Sequence, residues 1–351
     1  MTSPTQTIRL AMLGFGNAGQ AFARLLLAKR EEILARYGFD VQVVAITTRS
    51  RGNLLDPSGI DLAKALDDLA RDGCFDQCSQ DWSGITSMEV AENVDYDVLL
   101  ELTPLEIFSG QPAIDHLKAA LTRGRHAITA NKGPLAWAYR ELKELATSHS
   151  VEFFYETTVM DGTPVFNLVD ETLRLCKVTK VEGILNTTTN FVLEELAAGK
   201  AFDQVIAEGK RRGFIESDPA MDLEGLDAAA KLTALLNVLM DAGITPRDIQ
   251  VQGIQGITES DIQAAIRRGN RIKLVCRGWR DDAGQLHGQV GPEEVPADHL
   301  YATIDGTSSV VSITTDLMGK LSVVEHAPEI EQTAYGILSD LLRLLSWLKK
   351  E

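Results

Sequence analysis

A chain of 351 residues, 44% hydrophobic and 24% charged, is too evenly balanced for disorder and long enough for two domains, because single cores stop growing near ~250 to 300 residues. Its net charge of −16 works against nucleic acid and anionic membrane surfaces, both of which are held by clustered Lys and Arg. The polar start MTSPTQT lacks a signal-peptide pattern, no run approaches the ~18 apolar residues of a membrane span, and a cytoplasmic protein with no nucleic-acid or membrane partner is expected.

In chain order, Ile8 to Leu13 is an apolar run that ends in GFGNAG, and Gln20 to Tyr37 carries Phe22, Leu25, Leu26, Ile33 and Leu34 at helical spacing. This predicts strand, glycine turn, helix. Val41 to Thr47 and Asp97 to Thr103 read as further strands, separated by a stretch rich in Asp, Gly and Ser. Cys74 and Cys78 lie there; with Cys176 and Cys276 they read as reduced thiols, since a zinc site needs about four ligands at tighter spacings. The helix predicted over 112–123 and the strand over 126–130 continue the alternation, and Glu152 to Val159 (EFFYETTV) supplies another strand. Strands alternating with helices predict a parallel sheet wound on both faces, a Rossmann-type α/β domain.

Beyond Asp161 the pattern changes. Strand-like pieces (Lys180 to Leu185, Arg271 to Gly278) alternate with long helical stretches such as Leu226 to Ala242, which predicts an α+β domain. The amphipathic segment Glu331 to Leu348 is expected to return to the first domain. The expected division is therefore 1–155, completed by 316–351, and 156–315.

Gly14, Gly16 and Gly19 form G-x-G-x-x-G at the first strand-to-helix turn. The first allows the tight turn, the second lets backbone approach a pyrophosphate, and the third lets helix pack on strand. Gly14, Phe15, Gly16, Asn17, Ala18 and Gly19 are the expected pyrophosphate-binding residues. Where an acid would read the ribose hydroxyl, the chain has Thr47, Thr48, Arg49, Ser50 and Arg51, so Arg49 and Arg51 point to a 2′-phosphate and to NADP, with NAD possible. Two solvated arginines are the plainer reading. Glu216, Asp218, Asp222, Glu224 and Asp227 crowd one stretch; such acids need solvent, partners or a cation, and a substrate ammonium is one cation that would serve. Asp227 and Lys231 are spaced i, i+4, which on a surface would be an ordinary ion pair.

Four segments together resemble the homoserine dehydrogenase family: LELTPLEIFSGQPAIDHLKAALTRGRHAITANKGPLA from Leu100, YETTVMDGTPVF from Tyr155, GILNTTTNFVL from Gly183, and GFIESDPAMDLEGLDAAAKL from Gly213. A weaker match follows in VQGIQGIT and IKLV. The resemblance implies reversible reduction of aspartate β-semialdehyde to homoserine, on the way to threonine, methionine and isoleucine. It implicates Lys231 as proton donor or acceptor with Asp227 beside it, and Lys132 as its partner. Glu216, Thr188, Asp222 and Asp227 match positions that hold the amino acid substrate. Thr103 and Lys132 fall in segments that resemble those closing over the nicotinamide. The turn from Glu156 resembles one whose carbonyls ring a sodium or potassium ion, which maps onto Glu156, Val159, Asp161 and Thr163. The family form implied has no appended regulatory domain, so threonine feedback is not expected, and a homodimer through the second domain is.

The chain departs from the family pattern at Asp161 and Thr187, where glycine is usual, at Phe214, where tyrosine is usual, and in Val324 to Ala334, where only Thr333 and Ala334 survive. These changes leave open a related dehydrogenase of another small amino-aldehyde or hydroxy amino acid, or a dinucleotide-binding sensor without turnover.

Overall fold

The computed structural model describes residues 6–212, 215 and 218–350. Two compact units divide the chain: Met1–Pro134, Ala138–Pro164 and Glu329–Glu351 form the first, Leu135–Trp137 and Val165–Pro328 the second.

The first unit is built on seven strands: β1 (Gln6–Leu13), β2 (Phe39–Thr47), β3 (Asn53–Leu55), β4 (Trp82–Ser83), β5 (Val98–Glu101), β6 (His126–Thr129) and β7 (Phe153–Phe154). They lie in the order β4-β3-β2-β1-β5-β6-β7. The β2-β1-β5-β6-β7 run is parallel, the arrangement expected of a Rossmann sheet. The antiparallel edge strands β3 and β4 fall in the stretch that reads as variable, because pieces this short leave no periodicity to detect. Leu10, Met12, Val98, Leu100 and Ile128 meet Phe22 and Leu26 of the helix Asn17–Tyr37 and Ile337, Leu341, Leu344 and Leu345 of the helix Ile330–Leu348 in one core. Each such side chain contributes about 1.5–3 kcal/mol on burial.

The strand expected over Glu152 to Val159 is only Phe153–Phe154; Glu156–Thr158 is a 3-10 turn. Tertiary bonds override β-branched propensity here. The Glu156 N–H donates to Asp340 Oδ2 at 2.9 Å, the Thr157 hydroxyl donates to Thr333 O at 3.2 Å, and the Thr333 hydroxyl donates to Asp161 Oδ1 at 2.6 Å. These bonds also correct the expected division, since they place residues 156–164 in the first unit.

The second unit contains β8 (Val178–Ile184), β9 (Gln250–Val251), β10 (Asn270–Arg280), β11 (Leu286–Pro296), β12 (Ser309–Thr315) and β13 (Gly319–Glu325), ordered β13-β12-β8-β10-β11-β9. Because β13 pairs antiparallel with β12 over its whole length, residues 316–328 belong here and not with the first unit. The helix Leu226–Met240 is hydrophobic nearly all round and buries Ala228, Ala229, Leu232, Leu235 and Leu236. Among the described residues no helix is long and apolar enough to cross a membrane.

Candidate active site

In the first unit, β1 runs into Gly14, whose φ of +104° is open to glycine but hardly to other residues. Its N–H donates to Thr47 O at 2.9 Å, and a Cβ there would stand 2.4 Å from Leu102 O. At Gly16 a Cβ would meet nothing within 4 Å, so this glycine faces open space. Gly19 packs against the Gly14 carbonyl, 3.0 Å from its would-be Cβ. The helix that follows starts at Asn17 with no side-chain cap and no acid in its first turn. Its leading N–H groups and positive dipole end are therefore left for an anion. Phe15 is buried against Phe75, so its backbone faces the turn and its ring does not; Asn17 is exposed and Ala18 half-buried. This set of groups fits a dinucleotide pyrophosphate.

At the end of β2 the Thr48 hydroxyl donates to Gly52 O and accepts from the Arg51 N–H, at 2.7 and 2.8 Å. The loop is thereby fixed, with Arg49 exposed and Arg51 half-buried. Arg51 Nη1 donates to Phe15 O at 3.4 Å, which brings one of the two arginines to the glycine turn. Beyond β5, Thr103 lies in a loop held by Asn131, whose Nδ2 donates to Thr103 O at 3.1 Å and whose Oδ1 accepts the Gly133 N–H at 2.9 Å. Asn131 caps the helix Lys132–Ser148, so Lys132 is its first residue, half-buried at the carboxyl edge of the sheet.

The turn Glu156, Val159, Asp161 and Thr163 also lies in the first unit. Glu156 and Val159 are buried, and the Thr163 N–H donates to Met160 O at 2.8 Å. Asp161 takes the left-handed conformation, φ +43°, a region Asp enters more readily than most non-glycine residues, and its side chain is held there by a long-range bond from the Thr333 hydroxyl. Beside the turn, Asp340 is 0% exposed. Its Oδ1 has no hydrogen-bond partner among the described residues. Burial pushes its carboxyl up to about 8, with the charge of Glu156 adding to the effect. A buried carboxyl oxygen without a partner is costly, and a cation on the turn would relieve it.

In the second unit, Asn186 organises the acids. It caps the helix Thr187–Ala197 by accepting from Thr189 N at 2.8 Å, and its Nδ2 donates to Asp222 Oδ1 at 2.6 Å and to Asp227 Oδ2 at 3.0 Å. Thr188 also hydrogen-bonds Asp222. Lys231 Nζ donates to Leu185 O at 2.9 Å and lies 3.6 Å from Asp227 Oδ2, the two side chains being only 18% and 16% exposed. The pair is therefore not the solvated surface bridge that spacing alone allows. Burial first, and then the Asp227 charge, hold the Asp222 carboxyl above its usual range.

The structure thus brings Thr188, Asp222, Asp227 and Lys231 together. It leaves Asp218 exposed, accepting from Ala220 N at 3.1 Å, and Glu224 exposed beside Gln255 at 3.5 Å. Glu216 and Phe214 lie outside the described residues. Thr187 is half-buried at the start of its helix. The sequence reading missed Asn186, although an Asn before a Thr-rich helical run is a cap signature. It also missed Glu101 and Asp340, which no pattern marks. In the altered segment Val324 to Ala334, Glu325 ends β13 and His326 is exposed, while Ala334 is core in the first unit.

Comparison with known proteins bears on both units. The pattern described as homoserine dehydrogenase, NAD binding domain, matches residues 14–156, and the pattern described as homoserine dehydrogenase matches residues 164–342. An NAD(+)-dependent homoserine dehydrogenase of Pseudomonas canavaninivorans is 33% identical over 96% of this chain and 96% of its own. A homoserine dehydrogenase of Methanocaldococcus jannaschii is 36% identical over 97% of this chain and 99% of its own. A solved hyperthermophilic archaeal homoserine dehydrogenase in complex with NADPH superposes with a TM-score of 0.83 at 25% identity, covering 97% of this chain and 98% of that one.

Proposed function

Because the chain belongs to the homoserine dehydrogenase family, NAD(P)-dependent oxidoreductases acting on a CH–OH group, we propose that it interconverts aspartate β-semialdehyde and homoserine in the biosynthesis of threonine, methionine and isoleucine. The observation that carries this reading is the half-sequestered Lys231, held by a backbone carbonyl and Asp227 beside an Asn186-bridged pair of acids. A nicotinamide cofactor bound to the first unit would supply or take the hydride. Lys231 gives a proton to the oxygen that becomes the alcohol, and takes it back in the reverse direction. Lys132 is assigned to the same reaction as a second cation. Asp222 and Asp227, with Thr188 and Glu216, are assigned to the substrate ammonium. A purified-chain assay with homoserine and each nicotinamide cofactor tests the reading, with other short hydroxy amino acids alongside; no turnover of homoserine with either cofactor sinks it.

We assign NADP as the preferred cofactor on Arg49 and Arg51. Relatives do not decide the matter, since one is named for NAD(+) and another holds NADPH. Arg49→Ala is expected to weaken NADP at least about tenfold more than NAD, the cost of a charge-assisted bond to phosphate. An unchanged preference would show that this arginine does not read the phosphate. Sodium or potassium is assigned to the carbonyls of Glu156, Val159, Asp161 and Thr163, where the unsatisfied Asp340 oxygen supports a cation; a melting temperature indifferent to either salt, at constant ionic strength, removes it. A homodimer through the second unit completes the reading, and light scattering at assay concentration checks it.

The Asp222 carboxyl, held high, makes a pH prediction. A raised acid favours its protonated form in the folded chain, so its contribution to stability is full below the unfolded value of 3.8 and is lost as pH rises through the higher folded value. An incoming ammonium favours the ionised form. Affinity for the amino acid should therefore rise with pH from the ordinary carboxyl range and then level off. Asp222→Asn should flatten that limb and raise KM about tenfold or more; a limb that survives the substitution belongs to another group.

A further inference from the structure

Glu101 ends β5 and is 0% exposed, in the middle of the sheet. Its Oε1 accepts the Thr103 hydroxyl at 2.5 Å and lies 3.3 Å from Nδ1 of the buried His116, while its Oε2 has no hydrogen-bond partner among the described residues. A buried carboxylate left partly unsatisfied is costly, and no bond of the sheet requires one here. Its effect falls on Thr103. A threonine hydroxyl has a single proton; with that proton committed to Glu101, the oxygen of the half-buried Thr103 can offer only lone pairs to a ligand. The Thr103 backbone is held by Asn131 Nδ2, which donates to its carbonyl at 3.1 Å, and Thr103 N lies close to Gly14, 3.1 Å from where a Cβ there would stand. An acceptor is thus fixed beside the glycine turn.

We propose that Glu101 is a positioning residue that sets Thr103 as an acceptor for the amino group of the nicotinamide carboxamide, and so fixes which way the ring is turned. The proposal rests on the reading of the first unit as the cofactor site. Of the donors a nicotinamide dinucleotide carries, the ribose hydroxyls can turn to donate or accept, and the adenine amine sits at the far end. The carboxamide NH2 is the one group near the ring that can only donate.

The test compares equilibrium binding of the oxidised cofactor with that of its 3-acetylpyridine analogue, in which a methyl replaces the amide NH2. The wild-type chain should prefer the amide about tenfold, the scale of one hydrogen bond that the analogue cannot make. Thr103→Val should bring the ratio close to one, and Thr103→Ser should keep it. Glu101→Met frees the hydroxyl to donate to either carbonyl and should cut the ratio to about threefold or less. Since Glu101 is buried, the Thr103 variants carry the test if Glu101→Met does not fold. A Thr103→Val chain that still prefers the amide tenfold overturns the assignment while leaving the cofactor site standing. A folded Glu101→Met chain with the wild-type ratio removes Glu101 from it. A wild-type chain that binds neither dinucleotide defeats the cofactor reading itself, and this proposal with it.

Discussion

Lys231→Ala is expected to lower kcat by about 10²- to 10⁴-fold, the range a positioned acid or base contributes to proton transfer, while the dinucleotide still binds with near-normal affinity. The two readouts separate because Lys231 belongs to the second unit and the glycine turn to the first. What makes the effect large is geometry: Nζ is held by Leu185 O at 2.9 Å and by Asp227 at 3.6 Å, so little of its freedom remains to be lost when a substrate arrives. Alanine also strands Asp227 near Asp222, two acids bridged by one amide. Lys231→Arg discriminates further. It keeps the positive charge but cannot release a proton near neutral pH, so it should restore amino acid binding and not turnover. A Lys231→Ala enzyme with most of its kcat would remove this residue from the chemistry.

The second large effect is a contrast between two glycines, Gly14 and Gly16, that stand two positions apart in the same turn. Gly14→Ala should destabilise the fold by at least about 2 kcal/mol, from an unfavourable positive φ together with the Leu102 carbonyl, which cannot yield without moving β5. Melting should fall by several degrees. Gly16→Ala should leave melting unchanged, because φ is −74° and the space beside it is empty, yet weaken the dinucleotide about tenfold or more by filling the approach to the helix N-terminus. Thermal melts of both variants and a cofactor titration of the second check the pair. If Gly16→Ala binds as well as wild type, the turn is not the pyrophosphate cradle.

Local pattern carried a good part of the first unit. The run Ile8 to Leu13, the glycines behind it and the apolar stripe of Gln20 to Tyr37 are each readable because strand and helix repeat every 2 and 3.6 residues. In the structure they are β1, the turn and the helix Asn17–Tyr37. The helix at the other end was readable for the same reason, from Ile337, Leu341, Leu344 and Leu345. Less was legible in the second unit. Of its six strands only β8 and β10 are readable from the sequence: β9 is two residues long, β12 is buried almost throughout, and β11 and β13 are half-exposed along much of their length, so none of the four shows a clean alternation.

The candidate site divides in the same way. That Lys231 and Asp227 share a helical face follows from their spacing. That they are nearly buried does not, because burial comes from what packs on a helix and not from the helix itself. Spacing alone leaves Asp222 one of five crowded acids, whereas the structure ties it to Asp227 through Asn186, 36 positions earlier in the chain.

By itself, then, the amino-acid order determined what short-range periodicity and backbone sterics can encode: the doubly wound first unit, the glycine turn and the spacing of the reactive side chains. Only the folded chain decided where the turn after β7 goes, which unit 316–328 joins, and which acids are buried, as Glu101 and Asp340 are. Those outcomes depend on partners distant in sequence, such as Asp340 for Glu156 and Thr333 for Asp161. A hydrogen bond or burial of that kind exists only once both segments are in place, so no window of sequence contains it.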